Sequence, residues 1–127
     1  MSMRRIAFNP RFVNEAGTDL VEEKIHTIRK NFPYWKKFEG QDIALFTWEG
    51  KPYRSKQRVF CVRHLFRVQK VRHAGRGNFF DEYGRYIPTI HLAKNDGFET
   101  EDDFIRWFLD YSESEMGIVH FTDFRYG

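Results

Sequence analysis

The chain has 127 residues, the size of one domain with a hydrophobic core of its own. Hydrophobic residues make up 41% of it and aromatic residues 18%, which excludes a disordered chain. The net charge is +3, and Cys61 is the only cysteine, which excludes a disulfide framework and a Cys-based metal site. No apolar run approaches the roughly 20 residues that span a bilayer, and no signal peptide is visible. We therefore expect a single cytoplasmic domain over residues 1–127 that does not bind membranes.

Turn residues and hydrophobic periodicity divide the chain into short strands and one clear helix. In chain order, the predicted elements are a strand at Arg5–Phe8, a helical turn at Phe12–Ala16, an extended segment at Glu22–Arg29, an ordered loop at Asn31–Gly40, strands at Gln41–Trp48 and Gln57–His73, a hairpin of Asn78–Asp81 with Tyr86–Leu92, a helix at Thr100–Tyr111 and a strand at Ile118–Phe124. Thr100 is a favourable N-cap, and the acids that follow it suit the positive end of the helix dipole. Four aromatic residues recur at helical spacing and predict a buried face: Phe104, Trp107, Phe108 and Tyr111. This mixture predicts an α+β domain.

The longest strand-like run, Gln57–His73, changes its pattern part-way. Apolar residues alternate from Phe60 to Val68, but Val71 breaks the alternation. A bulge or strong bend near Gln69 would restore the pattern, and small barrels contain such bends. We therefore expect a curved or barrel-like sheet.

The extended segment before the third strand combines apolar anchors with polar groups. Ile25 and Ile28 are three residues apart, so both can face the core only if a twist or bulge lies between them. Three neighbouring side chains together suit an anion, a phosphate or the polar edge of a base: Lys24, Thr27 and Arg29. The alternative is that the two cations are solvated strand ends and the hydroxyl belongs to an ordinary strand residue.

Charge is unevenly distributed along the chain. Residues 50–80 contain nine Lys or Arg and no acid, whereas residues 99–115 contain seven acids and one base. A basic surface binds polyanions by neutralising phosphates and releasing counterions. The residues expected to contact a nucleic-acid backbone are Arg54, Lys56, Arg58, Arg63 and Arg67. The alternatives are that the acidic segment faces the basic one, or that each is a solvated surface.

Other catalytic chemistry has little support in the sequence. Cys61 and His64 are three apart on a predicted strand, so their side chains point to opposite faces and form no dyad. The five histidines lack the spacing of a zinc site, and no phosphate-cradling glycine loop is present. We expect no metal and no cofactor. His26 is a binding candidate because it lies between Lys24 and Thr27.

Two motifs resemble those of the ASCH domain family, which has a PUA-like fold. The segment Lys24–Arg29, ahead of a long strand, is similar to that family's Gly-x-Lys-x-x-Thr-x-Arg element. The segment Asp96–Phe98, leading into the helix at Thr100, is similar to its acid-Gly-Phe turn before a helix and a final strand. The resemblance covers nearly the whole chain. One departure is Glu22, which stands where the family has glycine and would reshape the rim of a pocket.

The resemblance implies a small PUA-like curved β-barrel with a few flanking helices and a cleft beside it. The cleft would be lined by Lys24, Thr27, Arg29 and Asp96. The family acts mostly on RNA or nucleosides, and its bacterial N4-acetylcytidine amidohydrolases use a Lys, a Thr and a Glu. These correspond here to Lys24, Thr27 and Asp96, with the aspartate one methylene shorter. Lys24 can act as a base only if its pKa is lowered, because an ordinary lysine is protonated at neutral pH.

Three functions therefore compete. The leading hypothesis is a domain that binds RNA or a nucleotide, holding a base or phosphate at Lys24, Thr27 and Arg29. The second is a small amidohydrolase that acts on an acylated pyrimidine nucleoside. The third is a non-catalytic interaction domain with a vestigial cleft, in which Lys24, Thr27 and Asp96 do not converge. The sequence leaves the oligomeric state open.

Overall fold

The structure, a computed structural model, describes residues 3–127. These residues form eight strands, three α-helices and one 3-10 turn. The strands are β1 (Arg5–Ala7), β2 (His26–Lys30), β3 (Asp42–Trp48), β4 (Gln57–His64), β5 (Arg67–His73), β6 (Phe79–Asp81), β7 (Tyr86–Ile87) and β8 (Ser114–His120). The helices are α1 (Phe32–Lys36), α2 (Thr89–Asn95) and α3 (Glu101–Trp107), and the 3-10 turn is Pro10–Phe12. The predicted α+β class is confirmed, and no helix in the described part of the chain is long and apolar enough to cross a membrane.

The strands form two open sheets that share one core. In the first sheet, β3 lies between β1, which is parallel to it, and β4, which is antiparallel. The second sheet has the order β2-β8-β5-β6-β7, and all its neighbours are antiparallel. Within residues 3–127 no ladder joins the two sheets, so a closed barrel is not observed. Buried side chains of both sheets, such as Ile43 and Ile118, belong to the same hydrophobic cluster.

The run Gln57–His73, predicted as one strand, is two strands in different sheets, β4 and β5. The chain turns between them at Leu65, which is fully buried. Val68 and Val71 are both buried although they are three residues apart in β5, and the register of β5 with β8 is nevertheless continuous from Arg67 to His73. The predicted bulge near Gln69 is therefore wrong. A register shift does occur in the first sheet, in the middle of β3.

The segment Asn31–Gly40, predicted as a loop, contains α1. The Asn31 side chain accepts a hydrogen bond from the backbone N–H of Tyr34 and so caps this helix. Pro33 lies in the first turn, where its missing N–H would have had no helical partner. Three aromatic residues of the segment lie in this short helix: Phe32, Tyr34 and Trp35.

Helices α2 and α3 flank the acid-Gly-Phe turn. The second strand of the predicted hairpin is short, because the chain enters α2 directly after Pro88. α2 ends one residue before Asp96, which leaves the turn Asp96–Phe98 ahead of α3. The Oγ of Thr100 accepts a hydrogen bond from the backbone N–H of Asp103, as predicted for an N-cap.

Strand β2 begins at His26, whereas the extended segment was predicted to begin at Glu22. Its register with β8 is continuous from His26 to Lys30, so no bulge interrupts β2, and the condition that Ile25 and Ile28 both anchor the strand is not met. Ile25 lies just before the strand and is half-buried, whereas Ile28 belongs to the core. The partner β8 begins four residues before the predicted Ile118, so it covers the whole of β2.

Candidate functional site

Lys24 is the centre of a buried polar cluster between β2 and α2. It is only 3% exposed. Its Nζ donates hydrogen bonds to the carbonyl oxygen of Asp96 at 2.7 Å and to Asp96 Oδ1 at 2.9 Å. The next residue along the chain, Ile25, donates its backbone N–H to the carbonyl of Asn95 at 2.8 Å. The segment before β2 is therefore fastened to the C-terminal end of α2 by both backbone and side chain.

The glycine after Asp96 makes this close approach possible. Gly97 has a φ of +82°, a left-handed conformation that side chains disfavour. A Cβ built there would lie 2.8 Å from the Cβ of Lys24, which is closer than real contacts allow. The Asp-Gly pair thus supplies the carboxylate together with the space that the lysine stem occupies.

His26 also belongs to the cluster, and its side chain lies on the face of β2 opposite to that of Thr27. Its Nδ1 lies 3.2 Å from Asp96 Oδ1, and its Nε2 lies 2.6 Å from the hydroxyl of Tyr126. A carboxylate only accepts, so Nδ1 carries a hydrogen, and the tautomer with its hydrogen there accepts the Tyr126 O–H at Nε2. Asn95 Nδ2 donates to the same hydroxyl oxygen at 3.0 Å. Burial raises the pKa of Tyr126, which keeps its hydroxyl protonated as this arrangement requires.

Thr27 and Arg29 extend the cluster along β2. They are two residues apart and share a face of the strand. Arg29 Nε donates to Thr27 Oγ1 at 3.1 Å, and an Nη donates to the carbonyl of Ala7 at 2.6 Å. The Arg29 guanidinium also lies 5.0 Å from the centroid of the Phe8 ring. These contacts hold the guanidinium between β2 and the chain that leaves β1.

These polar groups line a cavity of about 120 Å³, called the Lys24 cavity below. The polar side chains in its wall include Lys24, Thr27, Arg29 and Asp96. The aromatic side chains in its wall are Phe8, Phe12, Phe98, Trp107 and Tyr111. The Lys24 Nζ lies 4.2 Å from the centroid of the Phe12 ring, a distance at which a cation is attracted to the ring face. The family resemblance implied one cleft lined by Lys24, Thr27, Arg29 and Asp96, and these four residues do line one cavity. The hypothesis of a vestigial cleft had predicted that Lys24, Thr27 and Asp96 would not converge.

The Lys24 cavity is lined by three cations, Lys24, Arg29 and Lys30, and by one carboxylate, Asp96. Burial lowers the pKa of Lys24, and its ion pair with Asp96 opposes that shift. Burial also lowers the pKa of Arg29, with Asp96 and Tyr111 acting in the opposite direction. An arginine begins so high that it stays protonated at neutral pH. Because Asp96 is engaged by Lys24, neither Arg29 nor Lys30 has a partner carboxylate in residues 3–127.

None of the five residues expected to contact phosphates lines the Lys24 cavity, as far as the described chain shows. They are Arg54, Lys56, Arg58, Arg63 and Arg67. Arg63 is held by Asp19, with Nη1 and Oδ1 3.0 Å apart. Arg54 and Lys56 are exposed between β3 and β4, on the same connection as Tyr53. The basic middle of the chain is therefore separate from the Lys24 cavity. Its arginines and lysine had been expected to contact the backbone of a nucleic acid bound there.

Cys61 and His64 take different acidic partners. The Cys61 thiol donates to Asp19 Oδ1 at 3.5 Å, and burial raises its pKa to about 12. His64 Nδ1 lies 2.9 Å from Asp42 Oδ1. A thiol with so high a pKa is a poor nucleophile at neutral pH, so this pair offers no catalytic site.

Sequence reasoning missed several parts of the site. Tyr126 contacts His26 across 100 residues, and no spacing rule connects a tyrosine at the end of a chain with a strand near its start. Trp107 was predicted to be core because of its helical spacing, but it is 37% exposed and lines the Lys24 cavity. Phe8 and Phe12 also line the cavity. They lie on either side of an Asn-Pro turn, which in the sequence predicted only the end of a strand.

Comparison with known proteins gives no match: no family model, no curated protein and no solved structure is significantly similar to this chain.

Proposed function

We propose that the protein binds RNA or a nucleotide and that the Lys24 cavity holds a base edge or a phosphate. The observation that carries this proposal is the Arg29 guanidinium. It has five N–H donors, of which the contacts with Thr27 and Ala7 use two. It is half-buried, and in the described chain no carboxylate pairs with it. A phosphate oxygen or a base carbonyl would satisfy the remaining donors.

The size of the cavity supports a small occupant that is part of a larger ligand. Pockets for drug-sized molecules usually measure about 300 Å³ or more. The Lys24 cavity is about 120 Å³, so it suits one polar group or base edge while the rest of the ligand lies outside. Aromatic rings in its wall would contact the apolar face of a base.

The polar groups also suit a base that presents a donor beside an acceptor. Arg29 offers N–H donors, whereas Asp96 Oδ2 has no hydrogen-bond partner in residues 3–127 and can accept. An aminopyrimidine edge such as that of cytosine has an amino donor next to acceptors. The resemblance to the ASCH domain family and its PUA-like fold supports the same class of ligand, since its motif positions are the ones that line this cavity.

A titration with short RNA at low and moderate salt tests this proposal. We expect affinity to fall as salt rises, because phosphate contacts release counterions. Arg29→Met should weaken binding by at least about tenfold, since a charge-assisted hydrogen bond contributes about 1.5–3 kcal/mol. Arg72→Met is the matched control, because Arg72 also stacks 5.0 Å from a phenylalanine ring centroid but on a different surface. Absence of binding at low salt would exclude the proposal.

A second candidate function is hydrolysis of an acylated pyrimidine nucleoside. The observation that favours it is that Lys24, Thr27 and Asp96 line one cavity, with the pKa of Lys24 lowered by burial. Two contacts weigh against it. The Lys24 ammonium is engaged by Asp96, and Thr27 Oγ1 makes its hydrogen bond with Arg29 rather than with a base.

Incubation with N4-acetylcytidine, followed by measurement of released cytidine, tests this second function. Turnover that Lys24→Met and Thr27→Val each abolish, with Arg72→Met as the control, would establish it. No release of cytidine at high enzyme concentration would exclude this substrate and leave the binding function as the account of the cavity.

A further inference from the structure

A second depression, called the aromatic groove below, adjoins the Lys24 cavity. It has a volume of about 610 Å³ and lies beside the first sheet and α1. Ala7 and Arg29 line both it and the Lys24 cavity, so the two are continuous at these residues. Besides these shared residues, the side chains that matter in the groove are Arg4, Arg5, Tyr34, Trp48 and Tyr53.

One ring of the aromatic groove is open to solvent to an unusual degree. Tyr53 is 90% exposed, although aromatic residues normally bury their rings. Its ring lies 5.2 Å from that of Trp48, at an angle of 49°. The backbone of Tyr53 has a φ of 65°, which a bulky residue rarely adopts. An ordered connection thus presents this ring outward beside a second, half-buried ring.

The charge of the groove is entirely positive. Three arginines line it, and none of its lining residues in the described chain is acidic. Arg4 lies 5.5 Å from the centroid of the Tyr34 ring, and Arg5 donates to the neutral side chain of Gln57 at 2.9 Å. Guanidinium groups without carboxylate partners beside exposed rings are the combination that binds single-stranded nucleic acids, through phosphates and stacked bases. Aromatic residues and arginine are also enriched at protein–protein interfaces, but a lining with only positive charge suits a polyanion.

We propose that the aromatic groove binds the nucleotides that flank the one entering the Lys24 cavity, so that the ligand is a single strand of RNA. This inference rests on the proposed function and extends it from a nucleotide to a strand. Arg29, at the junction, contacts the phosphate between the inserted nucleotide and its neighbour. Tyr53 and Trp48 stack on the neighbouring bases.

The test compares two probes, cytidine 5′-monophosphate and a single-stranded oligocytidine of about eight nucleotides, a length within the usual range for such sites. We expect the oligonucleotide to bind more tightly than the monophosphate. Tyr53→Ala should weaken oligonucleotide binding by about fivefold to a hundredfold, the effect of losing one stacked base, and leave the monophosphate unaffected. If three arginines contact phosphates, the slope of log affinity against log salt is about −2.

Tyr83→Ala is the matched control, because Tyr83 is 72% exposed in the turn between β6 and β7, away from the groove. It should change neither affinity. Oligonucleotide binding that is unaltered by Tyr53→Ala, or that is no tighter than monophosphate binding, overturns the inference while the proposed function stands. Failure of both probes to bind overturns both. Oligonucleotide binding that depends on Tyr53 but not on Arg29 supports the groove and overturns the role of the Lys24 cavity.

Discussion

The Lys24 ammonium contacts both the backbone carbonyl and the carboxylate of Asp96, at 2.7 and 2.9 Å, across 72 residues of sequence. This ion pair fixes the segment before β2 against the end of α2. It also affects what the Lys24 cavity can bind, because it engages the carboxylate and leaves Arg29 without a carboxylate partner in residues 3–127. The cluster is thus a structural tie, and in the proposed function its cationic wall binds the anion.

Asp96→Asn should destabilise the protein by about 3 kcal/mol, since removing one partner of a buried pair leaves the other charge uncompensated. The free energy of unfolding in urea measures this loss. In the double variant Lys24→Met/Asp96→Asn the buried charge is absent, so much of the loss should be recovered. A free energy of unfolding for Asp96→Asn within about 0.5 kcal/mol of the wild type would show that the pair is not buried as described.

Gly97→Ala should destabilise the protein more than Gly84→Ala. Both glycines have similar left-handed conformations, with φ of +82° and +80°. A Cβ at Gly84 meets nothing within 4 Å, whereas one at Gly97 meets the Lys24 stem at 2.8 Å. We expect about 1 kcal/mol for the strain at Gly84 and 1–3 kcal/mol more at Gly97. Equal urea midpoints for the two variants would contradict the contact between Gly97 and Lys24.

His120 should make stability depend on pH in acid. Burial, together with the nearby His26, Arg67 and Arg125, lowers its pKa from 6.5 to about 3. Between these values the unfolded chain binds a proton that the folded protein does not, so the free energy of unfolding falls as pH decreases. The slope from this residue is at most about 1.4 kcal/mol per pH unit.

Urea unfolding at pH 7 and pH 5 checks this expectation, with His120→Phe as the comparison. The variant should lose less stability between the two pH values than the wild type does. Equal losses would mean that His120 is protonated in the folded state as readily as in the unfolded one.

His26 should carry its hydrogen on Nδ1 and accept at Nε2, because Asp96 accepts on the first side and Tyr126 donates on the second. The ¹⁵N chemical shifts of the imidazole ring report this tautomer directly. Tyr126→Phe removes the donor and should cost about 1–3 kcal/mol of stability, since Nε2 then lies buried and unpaired. A hydrogen found on Nε2 at neutral pH would contradict the proposed direction of these bonds.

Local sequence signals located much of the fold. The third strand and the Thr100 cap depend on patterns within about ten residues, and the structure has both nearly where they were predicted. The same local signals predicted one strand at Gln57–His73, which is wrong, because only tertiary structure shows that the chain changes sheets at Leu65. A buried leucine at a turn looks like any strand residue in the sequence.

The candidate site divides in the same way. Lys24, Thr27 and Arg29 are close in sequence, so their common role could be expected from β2 alone, and Asp96 was linked to them by a family resemblance. Tyr126 and the aromatic groove could not be found, because their parts come from distant segments that pack together only in the folded protein. The charge pattern of the basic residues between β3 and β4 was visible in the sequence. The surface of the folded protein on which they lie was not.

An NMR titration with a short single-stranded RNA tests the central claim most directly, because it locates the ligand on the protein. We expect the Arg29 side-chain Nε–H and the Thr27 amide to shift strongly and in a saturable way. The exposed strand residue Arg72 should not respond. Saturable shifts confined to the connection carrying Arg54 and Lys56, with Thr27 and Arg29 unchanged, would contradict the claim that the Lys24 cavity binds the RNA.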